Sequence, residues 1–223
     1  MKTKIIVAAS ATALLILGGL LGVQQYISSQ ITSGVEREMP KASGISVSVP
    51  FADVLGNITS DSIKSVHINI ESFALKENGT ETSLDISASN IGKAKPNLVG
   101  SLQVTATIPA STITESSEFD DAQIVENTLQ VSTGAGGLGT ASLIPKYSDN
   151  QIYFELQSVS ILGNEIPASS LPADLQNQIK SKSQRSLTLP NGLKIDSVSL
   201  SSNGISVKMS GSNIQLGNLG SSL

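Results

Sequence analysis

The stretch "LPNGLKIDSVSLSSNGISVKMSGSNIQL", residues 189–216, carries the clearest structural signal in this chain. Apolar and polar residues alternate through most of it, which is typical of β-strands with one buried face and one solvated face. Asn203-Gly204 separates two such runs. This dipeptide favours a type I′ turn, because both central positions of that turn need a positive φ. The stretch therefore predicts a β-hairpin.

A shift of phase within the first run indicates that the hairpin is not flat. The apolar residues Leu193 and Ile195 have odd numbers, whereas Val198 and Leu200 have even numbers. A one-residue slip turns every later side chain to the opposite face unless a β-bulge absorbs it. We expect that bulge at Asp196-Ser197 and, because bulges bend and twist strands, we expect a curved sheet.

Further segments with the same two-residue period predict more strands. Their alternating apolar positions are Ile45, Val47 and Val49; Val66, Ile68 and Ile70; Leu84, Ile86 and Ala88; Leu102, Val104, Ala106 and Ile108; Leu129 and Val131; and Ile152, Phe154 and Leu156. The sequence therefore predicts a mostly antiparallel β domain over residues 40–216, followed by a disordered Gly/Ser-rich tail at 217–223.

One helical segment interrupts the predicted strands. It is expected to begin at Ser169 or Ser170, either of which can cap its amino terminus, and to end near Leu187. Leu175 and Ile179 are four residues apart and fall on one face of an amphipathic helix. Because this apolar face needs a cover, the predicted fold class is α+β. A curved, mostly antiparallel sheet wraps around one long amphipathic helix and encloses an apolar interior.

The amino terminus predicts export. Residues 5–23 form a run of 19 residues without a charge, within the about 17–25 that a membrane-spanning helix needs. Two lysines precede this run and no basic residue follows it before Arg37, so the chain start is expected in the cytoplasm and the rest outside. A cleaved signal peptide is the alternative, but the A-x-A match at 11–13 lies inside the apolar run. We favour a signal-anchor at 1–23, followed at 24–39 by a helical stalk or a polar tether.

Composition restricts the partners. Cysteine is absent, which excludes disulfides, a thiolate nucleophile and a Cys-ligated metal. Without the two early lysines, the exported part has 14 − 2 = 12 basic and 18 acidic residues, a net charge of −6. This balance disfavours nucleic acid and simple adsorption to anionic lipid heads.

Residues that could perform chemistry are few. "GAGGLG", residues 134–139, matches a dinucleotide-binding fingerprint in letters, but strand-like sequence follows it, which favours a hairpin loop. His67 is the only histidine and alternates onto the predicted polar face. The acidic residues within 115–121 lack the spacing of a calcium loop, which favours a solvated loop. The sequence predicts no catalytic residue, no metal site and no cofactor.

Two segments resemble the LmeA-like phospholipid-binding proteins of bacterial envelopes, a family related in fold to the tubular lipid-binding (TULIP, BPI-like) proteins. In that family a helix is followed by L-P-x-G-L, a strand, a turn x-x-x-G-[IL] and a last strand ending near G-x-N-[IV]-x-L, a pattern that residues 189–216 match. "ISVSVPFADVLGN", residues 45–57, is similar to the family's early strand and aromatic-containing turn. The resemblance implies an elongated fold with a hydrophobic groove for acyl chains, and no catalytic residues. Few aromatic residues and few arginines are present, which departs from the family.

These observations lead to a predicted lipid-binding groove that binds a phospholipid or another acyl-chain lipid outside the cytoplasmic membrane. The side chains expected to line it are Ile68, Ile70, Val104, Phe154, Leu156, Leu175, Ile179, Val198, Leu200, Ile205, Val207 and Met209. In such a groove Val207→Trp is tolerated and displaces the lipid, whereas in a filled core it overpacks the interior.

Two other functions compete with lipid binding and transfer. One is a structural or interaction domain, similar to the anchored LEA-type (WHy) β-sandwiches, with a filled core. The other is an envelope hydrolase, which requires His67 to lie in a pocket beside a serine. Recovery of lipid from the purified protein separates the first alternative from lipid binding.

Overall fold

The computed structural model describes residues 36, 42–50, 60–74, 81–92, 94, 98–116, 122–133, 139–186, 189 and 192–215. They belong to two compact units. The described residues of the amino-terminal unit lie within Lys4–Ala106, Leu189–Asp196 and Lys208–Leu223. Those of the central unit lie within Thr107–Thr188 and Ser197–Val207. The predicted anchor at 5–23, nearly all of the predicted stalk at 24–39 and the tail at 217–223 lie outside the described residues.

Strands account for most of the described chain. In order they are β1 Ser43–Ser48, β2 Ser62–Ala74, β3 Glu81–Gly92, β4 Leu98–Pro109, β5 Gln123–Val125, β6 Thr128–Thr133, β7 Gly139–Ser148, β8 Gln151–Ile161, β9 Asn164–Pro167, β10 Arg185–Ser186, β11 Leu193–Ser201 and β12 Gly204–Gln215. Two α-helices, α1 Ala110–Ser116 and α2 Ala173–Ser183, and a 3₁₀ turn at Ala168–Ser170 complete the elements. One sheet has the order β1-β2-β3-β4-β12-β11, and the other has the order β10-β8-β7-β6-β5 with β9 paired to β8. The predicted antiparallel β architecture is confirmed by the pairs for which a register is observed.

The two-residue apolar period explains which faces of the strands are buried. In β2 and β3 the alternating aliphatic residues are buried and their polar neighbours are accessible, and Ile68 pairs with Ile86 across the two strands. An extra residue of β2 lies between Ile70 and Phe73, where the register with β3 shifts. A second register shift follows Ser142 in the pairing of β7 with β8. Bulges of this kind bend strands, as expected for a curved sheet.

The carboxy-terminal hairpin is present, but its turn differs from the prediction. β11 ends at Ser201 and β12 begins at Gly204, so the turn consists of Ser202 and Asn203. Gly204 has φ +129°, whereas Asn203 is not among the described residues with positive φ. The predicted type I′ turn at Asn203-Gly204 is therefore wrong. Gly204 serves a different need, the close approach of another backbone segment.

The predicted change of phase in β11 is visible in its burial. Leu193 and Ile195 are buried, Asp196 and Ser197 are both exposed, and from Val198 onward the even-numbered residues are the less accessible ones. The side chains therefore change face where the sequence indicated. The bulge at Asp196-Ser197 itself stays a prediction.

The helix after β9 is shorter and more exposed than the sequence suggested. It begins after Pro172, without a side-chain cap from Ser169 or Ser170, and ends at Ser183. The next two residues after Gln184 pair with β8 as the short strand β10, and so the chain leaves the helix before Leu187. Leu175 is 38% exposed. The predicted long amphipathic helix inside a wrapped sheet is therefore not shown: the observed helix has 11 residues, and its two predicted apolar positions, Leu175 and Ile179, are exposed and half-buried.

Polar contacts hold α2 on β8 within the central unit. The Ser183 hydroxyl lies 2.8 Å from the Ile179 carbonyl oxygen and accepts a hydrogen bond from the Phe154 N–H at 2.9 Å. The Lys180 ammonium lies 4.4 Å from the centre of the Tyr153 ring, a cation–π contact. Both contacts are made by polar or charged side chains of the helix, which the spacing of its apolar residues does not reveal. Hydrophobic spacing alone therefore does not predict how this helix docks on β8.

Among the residues that the structure describes, none of the helices combines the length and the apolar character needed to cross a membrane.

Candidate functional site

Four of the predicted groove residues lie in the amino-terminal unit, on the buried faces of its strands. Ile68 and Ile70 belong to β2, Val104 to β4 and Met209 to β12, and all four are almost fully buried. Ile68 pairs with Ile86 and Ile70 with Leu84, so these positions form continuous aliphatic rows across β2 and β3. Burial of apolar surface stabilises such rows by about 25 cal/mol for each Å² removed from water.

The other eight predicted groove residues lie in the central unit and differ in accessibility. Leu156, Leu200, Ile205 and Val207 are buried. Phe154, Ile179 and Val198 are half-buried, whereas Leu175 is exposed. Phe154 and Ile179 are brought together by the Ser183 hydroxyl, which contacts the backbone of both.

This difference in accessibility separates two roles. A side chain that lines an open groove keeps accessible surface when the groove is empty, whereas a side chain with none is packed against protein atoms. By this criterion Phe154, Ile179 and Val198 have the surface that a ligand-contacting residue needs. Ile68, Ile70 and Val207 have the burial of supporting core residues. The groove itself stays a prediction.

A polar cluster that sequence reasoning missed lies on the solvated face of β2 and β3. His67 Nδ1 is 3.0 Å from the Ser87 hydroxyl, and His67 Nε2 is 3.3 Å from Asp85 Oδ2. The side chains of His67 and Asp85 are each 47% exposed. His67 does alternate onto the polar face, as predicted, but its two partners follow from the register, in which His67 pairs with Ser87 and Asn69 with Asp85. Only knowledge of that register could have identified the cluster.

A depression of about 360 Å³ adjoins the cluster within the amino-terminal unit. Hydroxyl and amide groups dominate its polar lining, which consists of Ser48, Ser65, Ser87, Ser89, Ser101 and Gln103 together with His67. His67 therefore does lie in a pocket beside a serine, the arrangement required of the hydrolase alternative.

The chemistry of this cluster is limited by its place in the sheet. The Asp85 carboxylate can only accept, so with a neutral imidazole Nε2 carries the hydrogen and Nδ1 accepts from the Ser87 hydroxyl. This is the order of a Ser-His-Asp triad. β3 has neighbours on both sides, β2 and β4, so the backbone N–H groups of this strand are engaged in the sheet. The cluster therefore presents its side chains as a hydrogen-bonding surface beside the depression.

The structure bears on two other features of the sequence, the glycine-rich segment at 134–139 and the possible metal-binding residues. Residues 134–138 connect β6 to β7, so "GAGGLG" joins two antiparallel strands, as the hairpin-loop interpretation predicts, and does not precede a helix. In the described part of the chain no three His, Cys, Asp or Glu side chains are grouped so that they could hold a metal ion. The acidic residues beyond Ser116 that prompted the calcium comparison lie outside the described residues.

Antiparallel sheets with aliphatic buried faces and a serine-rich solvated face define a β-rich protein. Comparison with family models identifies the group more closely. The model described as LmeA-like phospholipid-binding matches residues 17–210, most of the chain. The chain belongs to the LmeA-like phospholipid-binding family, as the two segments at 45–57 and 189–216 suggested. Searches among curated proteins and among solved structures found no significant match.

Proposed function

We propose that this protein is a non-catalytic module that binds and transfers phospholipid outside the cytoplasmic membrane. Residues 5–23 anchor it in that membrane. Membership of a phospholipid-binding family is the observation that carries the proposal. The accessible apolar surface of Phe154, Ile179 and Val198 supports it, because apolar surface binds acyl chains without any charged group.

The free energy of acyl-chain burial is sufficient for this function. Each buried methylene contributes about 0.8 kcal/mol, so a chain of about 14–16 carbons contributes roughly 11–13 kcal/mol before ordering costs. A groove that covers a whole chain can therefore hold a lipid against release into water without a specific headgroup contact. Phe154, Ile179 and Val198 combine apolar character with accessible surface, and we assign them to the wall of that groove.

The charge pattern of the amino terminus supports the proposed location. The uncharged run at 5–23 follows two lysines, and no basic residue follows it before Arg37. This distribution retains the amino terminus in the cytoplasm and directs the rest of the chain outward. A lipid-transfer module held in this way stays close to the membrane that supplies its ligand.

The proposal is tested by measuring the lipid bound to the domain after purification without any unfolding step. A protease site is inserted between Glu38 and Met39 of the full chain, the protein is purified from membranes, and the released domain is analysed by native mass spectrometry. We expect a mass increment of phospholipid that disappears after organic extraction. A domain of bare polypeptide mass, even after incubation with phospholipid vesicles, would contradict the proposal and support the alternative with a filled core.

A further inference from the structure

The turn between β8 and β9 presents the most accessible large apolar side chain of the described residues. Ile161 pairs with Asn164, so Leu162 and Gly163 form a two-residue turn. Leu162 is 77% exposed and Ile161 is 45% exposed. The side chain of Leu162 therefore contributes little to the interior of the protein.

The backbone of this turn does not require a leucine either. Leu162 has φ +50° and Gly163 has φ +81°, a region in which leucine is strained and Asn, Asp and Gly are favoured. The turn between β7 and β8 has the same length and uses Asp149 and Asn150, with φ +52° and +57°. The same chain thus uses polar residues where the turn only has to close a hairpin. Leu162 is unfavourable for both solvation and backbone conformation.

The surroundings of the turn indicate the partner that compensates for this cost. Ile161, Leu162 and Gly163 carry no charge, whereas Glu165 follows two residues later on β9. A carboxylate beside the tip disfavours an anionic surface. The backbone groups at the centre of the turn lie outside the ladder and need water, so the tip suits the hydrated interface of a bilayer rather than its hydrocarbon centre. A zwitterionic phospholipid interface meets both conditions.

We infer that the Ile161–Gly163 turn is a membrane-contacting tip, which inserts Leu162 into the interface of a zwitterionic phospholipid bilayer when lipid is loaded or delivered. The inference rests on the proposed function, because a protein that exchanges phospholipid with a bilayer has to contact that bilayer. Contact at the tip holds the protein against the bilayer while lipid is exchanged. The tip thereby raises the rate of exchange and leaves the amount of bound lipid at equilibrium unchanged.

A single tryptophan can report on the tip, since the chain has no Trp. Full-length Leu162→Trp is reconstituted into phosphatidylcholine vesicles with and without brominated acyl chains. We expect a blue-shifted emission that the brominated lipid quenches. Val125→Trp is the matched control, because Val125 ends a strand at another hairpin and is 39% exposed. Emission of Leu162→Trp that is quenched no more than emission of Val125→Trp would overturn the inference.

A second variant distinguishes the effect of the tip on lipid uptake from an effect on folding. Leu162→Asn places a favoured residue at this φ, so its unfolding temperature is expected to equal or exceed that of the wild type. Uptake of a fluorescent phosphatidylcholine from donor vesicles by the full chain in nanodiscs should slow about tenfold, the effect of losing one buried leucine from the contact. Lipid content at equilibrium should not change. An unchanged uptake rate would refute the tip.

The outcomes distinguish the tip from the proposed function. If the wild type never contains phospholipid, the proposed function fails, and the quenching experiment still decides whether the tip enters a bilayer. A different pair of results would identify a second copy of the chain as the partner and make the inference wrong. In that case Leu162→Asn abolishes self-association seen in the wild type, and the brominated lipid does not quench Leu162→Trp.

Discussion

Gly204 shows how one residue without a side chain determines a contact. Its φ is +129°, and a Cβ at this position would lie 1.9 Å from the Ile108 carbonyl oxygen and 2.9 Å from the Ala110 nitrogen. The neighbouring Asn203 carbonyl accepts a hydrogen bond from the Ala110 N–H at 3.2 Å. The end of β4 and the start of α1 therefore approach the hairpin turn closely, and only glycine permits this.

We expect Gly204→Ala to lower the free energy of unfolding by at least about 2–3 kcal/mol, since backbone strain and a clash with backbone atoms add together. Gly163→Ala is the matched control. Gly163 also has a positive φ, +81°, but no atom lies within 4 Å of an added Cβ, so only the strain applies. Urea denaturation compares the two variants. Equal losses would show that the close approach at Gly204 has no energetic weight.

His67 has two polar partners, but both contacts are solvated. Exposed ion pairs and hydrogen bonds of this kind contribute about 0–1 kcal/mol. His67→Ala should therefore lower the free energy of unfolding by less than about 1 kcal/mol and leave the amount of bound phospholipid unchanged, as measured by urea denaturation and mass spectrometry. Ester hydrolysis by the wild type that disappears in both His67→Ala and Ser87→Ala would instead favour the hydrolase alternative.

At the scale of elements, local alternation predicted the strands well and the helix poorly. The predicted positions in β2, β3, β4 and β6 are buried, apart from a half-buried residue at the end of β4. Strand burial depends on the period of the strand itself, which can be read directly from the sequence. The helix depends on a partner, and its docking uses the Ser183 hydroxyl and the Lys180–Tyr153 contact. These side chains follow no apolar period, so the sequence overestimated both the length and the burial of the helix.

The corrected position of α2 predicts a contrast between its two aliphatic residues. Leu175 is exposed and Ile179 is half-buried beside Ser183. Leu175→Gln should change the free energy of unfolding by no more than about 0.5 kcal/mol, as for an ordinary surface position. Ile179→Gln should cost about 1–2 kcal/mol, because apolar surface is lost from a partly covered site. Thermal and urea denaturation measure both variants. A larger loss of unfolding free energy at Leu175 would show that this face of the helix is buried in the interior.

At the scale of the whole molecule, the sequence could predict which strand faces are apolar and which are polar, but not the register and order in which the strands pair. Aliphatic faces, the alternation of His67 onto a polar face and the family all follow from local patterns. The Ser87–His67–Asp85 cluster depends on the register between β2 and β3, and the strand order depends on long-range pairing. Many registers satisfy the same alternation, because a shift of two residues preserves the buried face. Site residues that depend on one register were therefore beyond prediction.

The accessible and inaccessible residues of the carboxy-terminal hairpin provide the final test of the lipid groove. Val207 has 0% of its surface exposed, whereas Val198 is half-buried, and both belong to the central unit. Val207→Trp should overpack the interior and lower the free energy of unfolding by about 1–3 kcal/mol or more. Because Val198 keeps accessible surface, we expect Val198→Trp to leave the fold intact while the indole occupies volume otherwise taken by an acyl chain. Melting temperature and extracted phospholipid are measured for both variants and for the wild type. Lipid loss at near wild-type stability in Val198→Trp locates the groove beside β11. If both variants unfold early, and no lipid is recovered from any of the three proteins, the hairpin is ordinary filled core.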